Sequence, residues 1–131
     1  MFDVTQLTLE KVLELRTLAH QIHSSNLANA NVSDFKAKKT DFEGKLREAL
    51  EETTNPVPLI KKEVQAQQKI SEVGADVYED PLAPIAGNGN SVNPDKEQTE
   101  IAKNMIGYQT AIQLLNKKIA MQKYVLSEGG R

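Results

Sequence analysis

The chain has only two histidines, His20 and His23, and they are the first residues that could do chemistry. If this stretch is helical, their spacing of three places both imidazoles on one side, where two ring nitrogens could bind one metal ion. No carboxylate or thiol lies at a spacing that would complete such a site, and the chain contains no cysteine. We therefore interpret both histidines as solvated or interface-flanking side chains and predict no metal site.

Three other short stretches invite a chemical interpretation. Ser24 and Ser25 have no base and acid around them that the sequence can show. The sequence GNGN at 87–90 lacks the Lys-Ser/Thr pair of a phosphate-binding loop. The basic cluster at 36–39 is too small to predict a nucleic-acid surface, and the formal net charge is only −2. We predict no enzyme activity, no cofactor and no nucleic-acid partner.

The N-terminal stretch is typical of an amphipathic helix, and we predict an N-terminal axial helix over 1–31. Asp3 can cap its start, with Gln6 as a capping-box partner, and Asn31 can end it in a left-handed conformation. The apolar positions Val12, Leu15, Ala19 and Ile22 alternate at spacings of three and four, and Asn26 and Asn29 continue that row. A buried Asn in such a row costs stability unless its amide is paired, but it penalises wrong registers. The asparagines are therefore either a polar lock against a neighbouring helix or the solvated amides of a fraying turn.

The clearest element is a C-terminal axial helix, predicted over 94–131, with Asn93 as its N-cap and Pro94 in its first turn. Its seam has the alternating spacings of a coiled coil. The seam residues are Ile101, Met105, Tyr108, Ile112, Leu115, Ile119, Gln122 and Leu126. Such a long seam predicts that the two terminal helices pair with each other and with other chains. The candidate subunit-packing residues are Val12, Leu15, Ile22, Asn26, Asn29, Ile101, Met105, Tyr108, Ile112, Leu115, Ile119 and Leu126.

Between these helices the sequence is less regular. Residues 32–58 are predicted to form a loop and a short second helix, capped by Thr40 and Glu43 and ended by the prolines at 56 and 58. Residues 59–93 are predicted to be an irregular extended linker or a small hairpin, in which LIKKEVQAQQKI is at most a marginal helix. The predicted fold class is all-α and elongated, with long terminal helices paired as a coiled coil, a short second helix and an irregular extended middle segment. These parts form one structural unit.

Composition supports an elongated protein. Apolar residues are 39% of the chain and aromatic residues 5%, too few for a compact core of ordinary size. An elongated shape, partial disorder or a core completed by a partner resolves that shortage. No apolar run reaches 18 residues, and the N-terminus lacks a basic region followed by a long apolar run. We therefore predict a chain that does not span a membrane and carries no cleavable signal peptide.

Two motifs resemble a known family. The sequence NLANAN at 26–31, followed by FKA at 35–37, resembles the N-terminal signature of bacterial flagellar axial proteins, which are the rod, hook and hook-associated subunits. The usual family form has Thr-Pro-Gly at the three positions where this chain has Val-Ser-Asp, 32–34. The sequences GNSVN at 89–93, YQ at 108–109 and LNKKI at 115–119 are similar to the proximal rod subgroup, as is TDFEGKLREAL at 40–50.

The resemblance implies a structural subunit of the flagellar basal-body rod in the periplasm. Its terminal helices are then expected to polymerise into the proximal part of the drive shaft, and the chain to leave the cell body uncleaved through the flagellar type III export apparatus. The implied partners are other copies of the chain and other rod and basal-body proteins. Within this family the polar-lock interpretation of the asparagines is favoured. The alternatives are another rod subunit of the same family, or a soluble helical adaptor or export chaperone.

Overall fold

The computed structural model describes residues 3–52 and 59–129. The elements in order are α1 (Val4–Ala28), β1 (Lys38–Asp41), α2 (Glu43–Glu52), α3 (Leu59–Glu72), β2 (Asp76–Glu79) and α4 (Pro94–Gly129). The predicted all-α class with long paired terminal helices is confirmed. The two short strands form an antiparallel ribbon, with Lys38 opposite Glu79 and Asp41 opposite Asp76. With 36 residues, α4 is about 54 Å long at 1.5 Å per residue.

The two terminal helices run antiparallel, as their side-chain contacts show. His23 contacts Glu97, and Arg16, seven residues earlier on α1, contacts Asn104, seven residues later on α4. At the start of α1, Asp3 contacts Lys118. Since α4 continues past this contact to Gly129, its last three turns extend beyond α1. Among the helices of the described ranges, none is long and apolar enough to cross a membrane.

Both predicted N-caps are confirmed. The Gln6 amide donates to the Asp3 carboxylate at 2.7 Å, and the Asn93 side chain accepts from the amides of Asp95 and Lys96 at 3.1 and 3.2 Å. The predicted end of α1 near Asn31 is wrong, because the helix ends at Ala28. Its C-cap Asn29 has a φ of −100° and donates its backbone N–H to carbonyls of the last turn, so no left-handed residue is needed there.

The predicted start of the second helix at Thr40 is also wrong. Thr40 lies in β1, opposite Val77, and α2 begins at Glu43. Thr40 pairs with β2 instead of capping a helix. The local sequence could not predict this, because the partner strand is distant in sequence. The predicted stop at the prolines 56 and 58 lies outside the described residues.

The middle segment is more ordered than the sequence indicates. Residues 59–72 form α3, where Ala66 and Ile70, one turn apart, are both buried. No hairpin forms within the described part of 59–93, because β2 pairs with β1 from the first half of the chain. The local sequence favours α3 only weakly, so this helix is stabilised by packing against α1 and α2.

The apolar core lies where α1 meets the short helices. Leu15 and Ala19 of α1 share a cluster with Phe42, just before α2, and with Val73, just after α3. Leu46 and Ala49 of α2 complete the buried set. Because this core is small, polar contacts also hold the other elements against α1. These contacts lie at the two ends of α1 and along α4.

Candidate subunit-packing site

A set of backbone-directed hydrogen bonds joins the chain after α1 (29–38) to the segment before α4 (86–93). We call this the polar junction, and it includes Asn26 of α1. The Asn26 side chain is fully buried, with 0% exposure. Its Nδ2 donates to the Lys38 carbonyl at 2.7 Å, and its Oδ1 accepts from the Lys38 N–H at 2.9 Å. A neighbouring strand would make the same two bonds, so Asn26 closes the outer edge of β1.

Asn90 makes the corresponding connection from the other side. Its Nδ2 donates to the carbonyls of Asn29 and Val32 at 2.9 and 2.7 Å, and its Oδ1 accepts from the Val92 N–H at 2.7 Å. Asn90 is 4% exposed, so these partners replace water for nearly the whole amide. The side chain thereby fixes the end of α1 relative to the start of α4.

Ser91 and Lys36 extend the junction. The Ser91 N–H donates to the Phe35 carbonyl at 3.0 Å, and the Ser91 Oγ accepts from the Ala37 N–H at 2.7 Å. The Lys36 ammonium donates to the Gly89 carbonyl. The two sequence motifs that resemble the axial proteins, NLANAN…FKA and GNSVN, are therefore the two halves of one hydrogen-bonded structure.

Two left-handed residues meet inside the junction. Asp34 has a φ of 61° and Gly89 a φ of 82°. A Cβ at Gly89 would lie 2.1 Å from the Asp34 Oδ1, so any other residue there would displace the Asp34 side chain. Asp34 stands where the usual axial-protein form has glycine, and Asp is among the few residues that adopt this conformation at modest cost. The chain therefore has a left-handed residue at the position where that form has glycine.

A second polar contact holds the helices where α4 begins. His23 Nδ1 and Glu97 Oε2 are 2.6 Å apart, and Glu97 is only 6% exposed. The sequence alone does not predict this contact, since no local spacing links residues 74 positions apart. His20 is exposed and does not join this pair. Across the described residues, no group of three or more His, Asp or Glu could hold a metal ion.

A third contact lies midway along the helix pair. Asn104 Nδ2 donates to the Arg16 carbonyl at 2.7 Å, and Arg16 Nη1 donates to Asn104 Oδ1 at 3.3 Å. The Arg16 guanidinium also lies over the Phe42 ring, 5.8 Å from its centroid. Gly107 permits this placement, because a Cβ there would lie 2.4–2.7 Å from guanidinium atoms of Arg16.

Two ion pairs stabilise the start of α1 and the end of β2. Lys118 Nζ lies 2.6 Å from Asp3 Oδ2, and its hydrogen bond lowers the pKa of Asp3 below its ordinary value of 3.8. The Leu82 N–H donates to Asp80 Oδ1 at 3.1 Å, and Lys96 Nζ lies 3.3 Å from Asp80 Oδ2. The Leu82 amide and the lysine together lower the pKa of Asp80. Asp80 therefore connects the end of β2 to the first turn of α4.

The structure places the predicted packing residues in three environments. Leu15, Ile22 and Asn26 are buried within the chain, and Val12 and Asn29 are half-buried. On α4, Met105 and Leu126 are exposed. The α4 residues that are half-buried are Ile101, Tyr108, Ile112, Leu115 and Ile119.

The most buried residues of α4 are different ones. They are Glu97, Asn104 and Ala111, spaced by seven. These residues are charged, polar or small, so a count of apolar positions did not detect them. The predicted seam is therefore shifted to one side of the face that α4 presents to α1.

The exposed side of α4 carries a separate apolar row, which we call the outer stripe. Its members are Ile106, Leu114, Met121, Tyr124 and Val125, between 49% and 66% exposed. At 100° per residue these five positions fall within an arc of about 100°, whose centre is about 110° from that of the buried residues of α4. The nearest member, Val125, continues the row of Glu97, Asn104 and Ala111 beyond the end of α1. Three of them lie on the turns that extend beyond α1. α4 thus has two apolar-bearing faces, and α1 covers only one.

A small core, paired terminal helices and an uncovered apolar helix face are features typical of helical proteins that bind other chains through that face. No protein-family model matches this chain. The chain is 32% identical over 108 residues to the flagellar basal body rod protein FlgB of Aeromonas hydrophila, covering 82% of this chain and 81% of the relative. It is 34% identical over 110 residues to the protein of the same name from Cereibacter sphaeroides, covering 84% of each. A FlgB of Bacillus subtilis is 28% identical across 98% of both chains. The chain belongs to the FlgB family of flagellar basal body rod proteins.

Proposed function

We propose that this protein is a structural subunit of the flagellar basal-body rod that polymerises through its terminal helices into the proximal part of the periplasmic drive shaft. The observation that carries the proposal is the outer stripe of α4, which is unpaired along the helix and continues beyond α1. The family relationship supports the same role, since its members are named as rod proteins. The role is structural, not enzymatic.

The outer stripe is suited to a helix partner more than to a small ligand. Its residues are large and apolar, and they form a row instead of lining a concavity. Burying such residues against other helices contributes about 25 cal/mol per Å² of apolar surface removed from water. Met105 and Leu126, two of the predicted packing residues, are also exposed, and they lie about 100° around the helix from the edges of the stripe. In the proposed assembly, they contact neighbouring subunits while the polar junction keeps each subunit's helices aligned.

The proposed partners are other copies of the chain and other rod and basal-body proteins. The proposed route to the periplasm is the flagellar type III export apparatus, without a cleavable signal peptide. The Asp3 cap and the Asp3–Lys118 pair give the N-terminal end of α1 a structural role in the folded subunit, which is consistent with a chain that keeps this end after export.

The test separates assembly from folding. Tyr124→Ser combined with Val125→Ser removes the exposed end of the outer stripe. Lys123→Ser combined with Glu128→Ser is the matched control on exposed polar positions of the same turns. Each variant replaces the wild-type chain in a motile strain that carries the FlgB protein, and basal bodies are counted by electron microscopy alongside swimming and secreted protein.

The stripe variant should be exported, should melt at the same temperature as the wild-type monomer, and should build no complete rods. The control should swim normally. Normal rods from the stripe variant would contradict polymerisation through α4. A stable, concentration-independent dimer that the stripe variant does not disrupt would favour the alternative of an adaptor or chaperone.

A further inference from the structure

The β1–β2 ribbon has two outer edges, and the chain treats them differently. The Asp80 N–H donates to the Ala37 carbonyl at 2.9 Å, so Ala37 and Asp80 form an antiparallel pair of the hydrogen-bonded type. Because pair types alternate along the ribbon, Lys38 and Glu79 are opposed with their backbone groups pointing outward, as are Thr40 and Val77. On β1, the outward groups of Lys38 are closed by Asn26.

The corresponding edge of β2 is open. All four β2 residues are exposed. Within residues 3–52 and 59–129, the outward N–H and C=O groups of Val77 and Glu79 have no hydrogen-bond partner. An edge strand with free backbone groups and exposed β-branched or aromatic side chains is a template for another strand.

We propose that the outer edge of β2 binds an extended, basic segment of another protein, which adds to the ribbon as a third strand. The backbone groups of Val77 and Glu79 would supply the hydrogen bonds. Val77 and Tyr78, which are 47% and 40% exposed, would supply apolar contacts on opposite faces of the strand. Leu82 and Ile85, 86% and 64% exposed in the loop that follows, extend the apolar surface past the strand end.

Charge selects a basic occupant. β2 begins and ends with acids, Asp76 and Glu79, and is followed by Asp80. On the occupied edge Lys38 of β1 lies opposite Glu79, whereas Asp41 lies opposite Asp76 at the other end of the ribbon. Asp76 and Asp80 already have lysine partners, Lys45 and Lys96. A cation on the added strand would therefore be stabilised most near Glu79. Opposite-charge pairs across strands stabilise sheets, and like-charge pairs destabilise them.

A second copy of this chain fits the edge poorly. Antiparallel pairing through the outward groups of Val77 and Glu79 places Val77 of one copy opposite Glu79 of the other, and therefore Asp76 opposite Asp80, so that acid faces acid. The basic strand β1 is not available instead, because β2 covers one of its edges and Asn26 closes the other at Lys38. The occupant is therefore a segment of a different protein. This binding surface is separate from the outer stripe, and its test does not depend on rod assembly.

The test uses the full-length chain labelled with ¹⁵N and two synthetic peptides of eight residues. One peptide alternates lysine and valine, and the other alternates glutamate and valine. Amide hydrogen exchange is followed by NMR. The lysine peptide should slow exchange at Val77 and Glu79 at least tenfold, should bind more weakly at high salt, and should leave Tyr78 unchanged because its N–H already points to β1. The glutamate peptide should have no effect.

Two variants make the result specific. Val77→Pro removes an outward N–H without removing a bond to β1, and should weaken binding of the lysine peptide at least tenfold. Val77→Thr, which keeps the N–H, is its control. Glu79→Lys should reverse the preference between the peptides, even if the proline variant disturbs the ribbon. Equal binding of both peptides, or protection only at residues outside β2, would overturn the proposal. Slower exchange at Val77 with rising protein concentration alone would assign the edge to a second copy and overturn it too.

Discussion

The side chain of Asn26 hydrogen-bonds both backbone polar groups of Lys38, twelve residues further along the chain. The amide acts as a one-residue strand at the edge of β1. The sequence-based interpretation placed this asparagine against a neighbouring helix, as a lock on register. The structure shows the amide paired within the chain, so it fixes where the ribbon lies on α1. Its pairing partner is backbone, which explains why no complementary side chain was recognisable.

Asn26→Leu should therefore reduce the stability of the subunit itself. The substitution removes two part-buried hydrogen bonds to the backbone of Lys38, and at about 0.5–1.5 kcal/mol for each bond the loss is about 1–3 kcal/mol. Urea unfolding should show a loss of that order. Asn31→Leu, at an exposed position of the same motif, should change stability little. Wild-type stability of the Asn26 variant, with unchanged amide exchange at Lys38, would show that the two hydrogen bonds are dispensable.

Two other asparagines of the polar junction should differ sharply in importance. Asn90 donates across the junction to two carbonyls, whereas Asn29 Nδ2 donates only to Ser25 of its own helix, in an exposed bond. Asn90→Ala should cost about 2–3 kcal/mol of unfolding free energy, and Asn29→Ala less than about 0.5 kcal/mol. Equal losses in the two variants would mean that the junction is held by its other hydrogen bonds.

Sequence analysis predicts those parts of the fold whose causes are local. The caps at Asp3 and Asn93 are correct because a cap needs only a side chain and the next turn. The strands are missed because β1 and β2 are four residues each and stable only through pairing between distant segments. The helix over 59–72 is underestimated because its buried residues are few and its packing partners lie elsewhere.

In the candidate site, too, the sequence predicts the features with local causes and misses those that depend on distant residues. The two motifs indicate the family, but only the structure shows that they touch and form the polar junction. Glu97, Asn104 and Ala111 could not be identified as the face toward α1, because a polar or small residue has no apolar signal and gains its role from the residue opposite. Buried polar contacts of this kind depend on geometry between distant positions, which one sequence does not reveal.

The Asp3–Lys118 pair predicts a pH dependence of the α1 start. The folded pKa of Asp3 is below 3.8, so the carboxylate contributes stability that is present above that value and lost as pH falls through the folded pKa. The stability difference between wild type and Asp3→Asn should shrink as pH falls from 5 to below 3. In Lys118→Met, the Asp3 pKa measured by NMR should rise toward its ordinary value. An unchanged titration of Asp3 in that variant would assign the lowered pKa to the helix cap alone.

The contact of Gly107 with Arg16 predicts a coupling between two substitutions. In a helix interior, alanine is more favourable than glycine by about 1 kcal/mol. At this position, however, the new Cβ would lie 2.4 Å from the guanidinium carbon of Arg16. Arg16 would then have to leave Asn104 and Phe42, so Gly107→Ala should not stabilise the wild-type chain. In an Arg16→Ala background, where nothing is displaced, the same change should stabilise by about 1 kcal/mol.

The measurement is a double-mutant cycle by urea unfolding, with a coupling of at least about 1 kcal/mol expected. Gly44→Ala on α2 is the control, because a Cβ there has nothing within 4 Å, and its effect should be the same in both backgrounds. If Gly107→Ala stabilises both backgrounds equally, the guanidinium moves aside without cost and its contacts with Asn104 and Phe42 contribute nothing measurable. A coupling confined to Gly107 would instead show that this glycine is retained for close approach of the side chain that joins α1, α2 and α4.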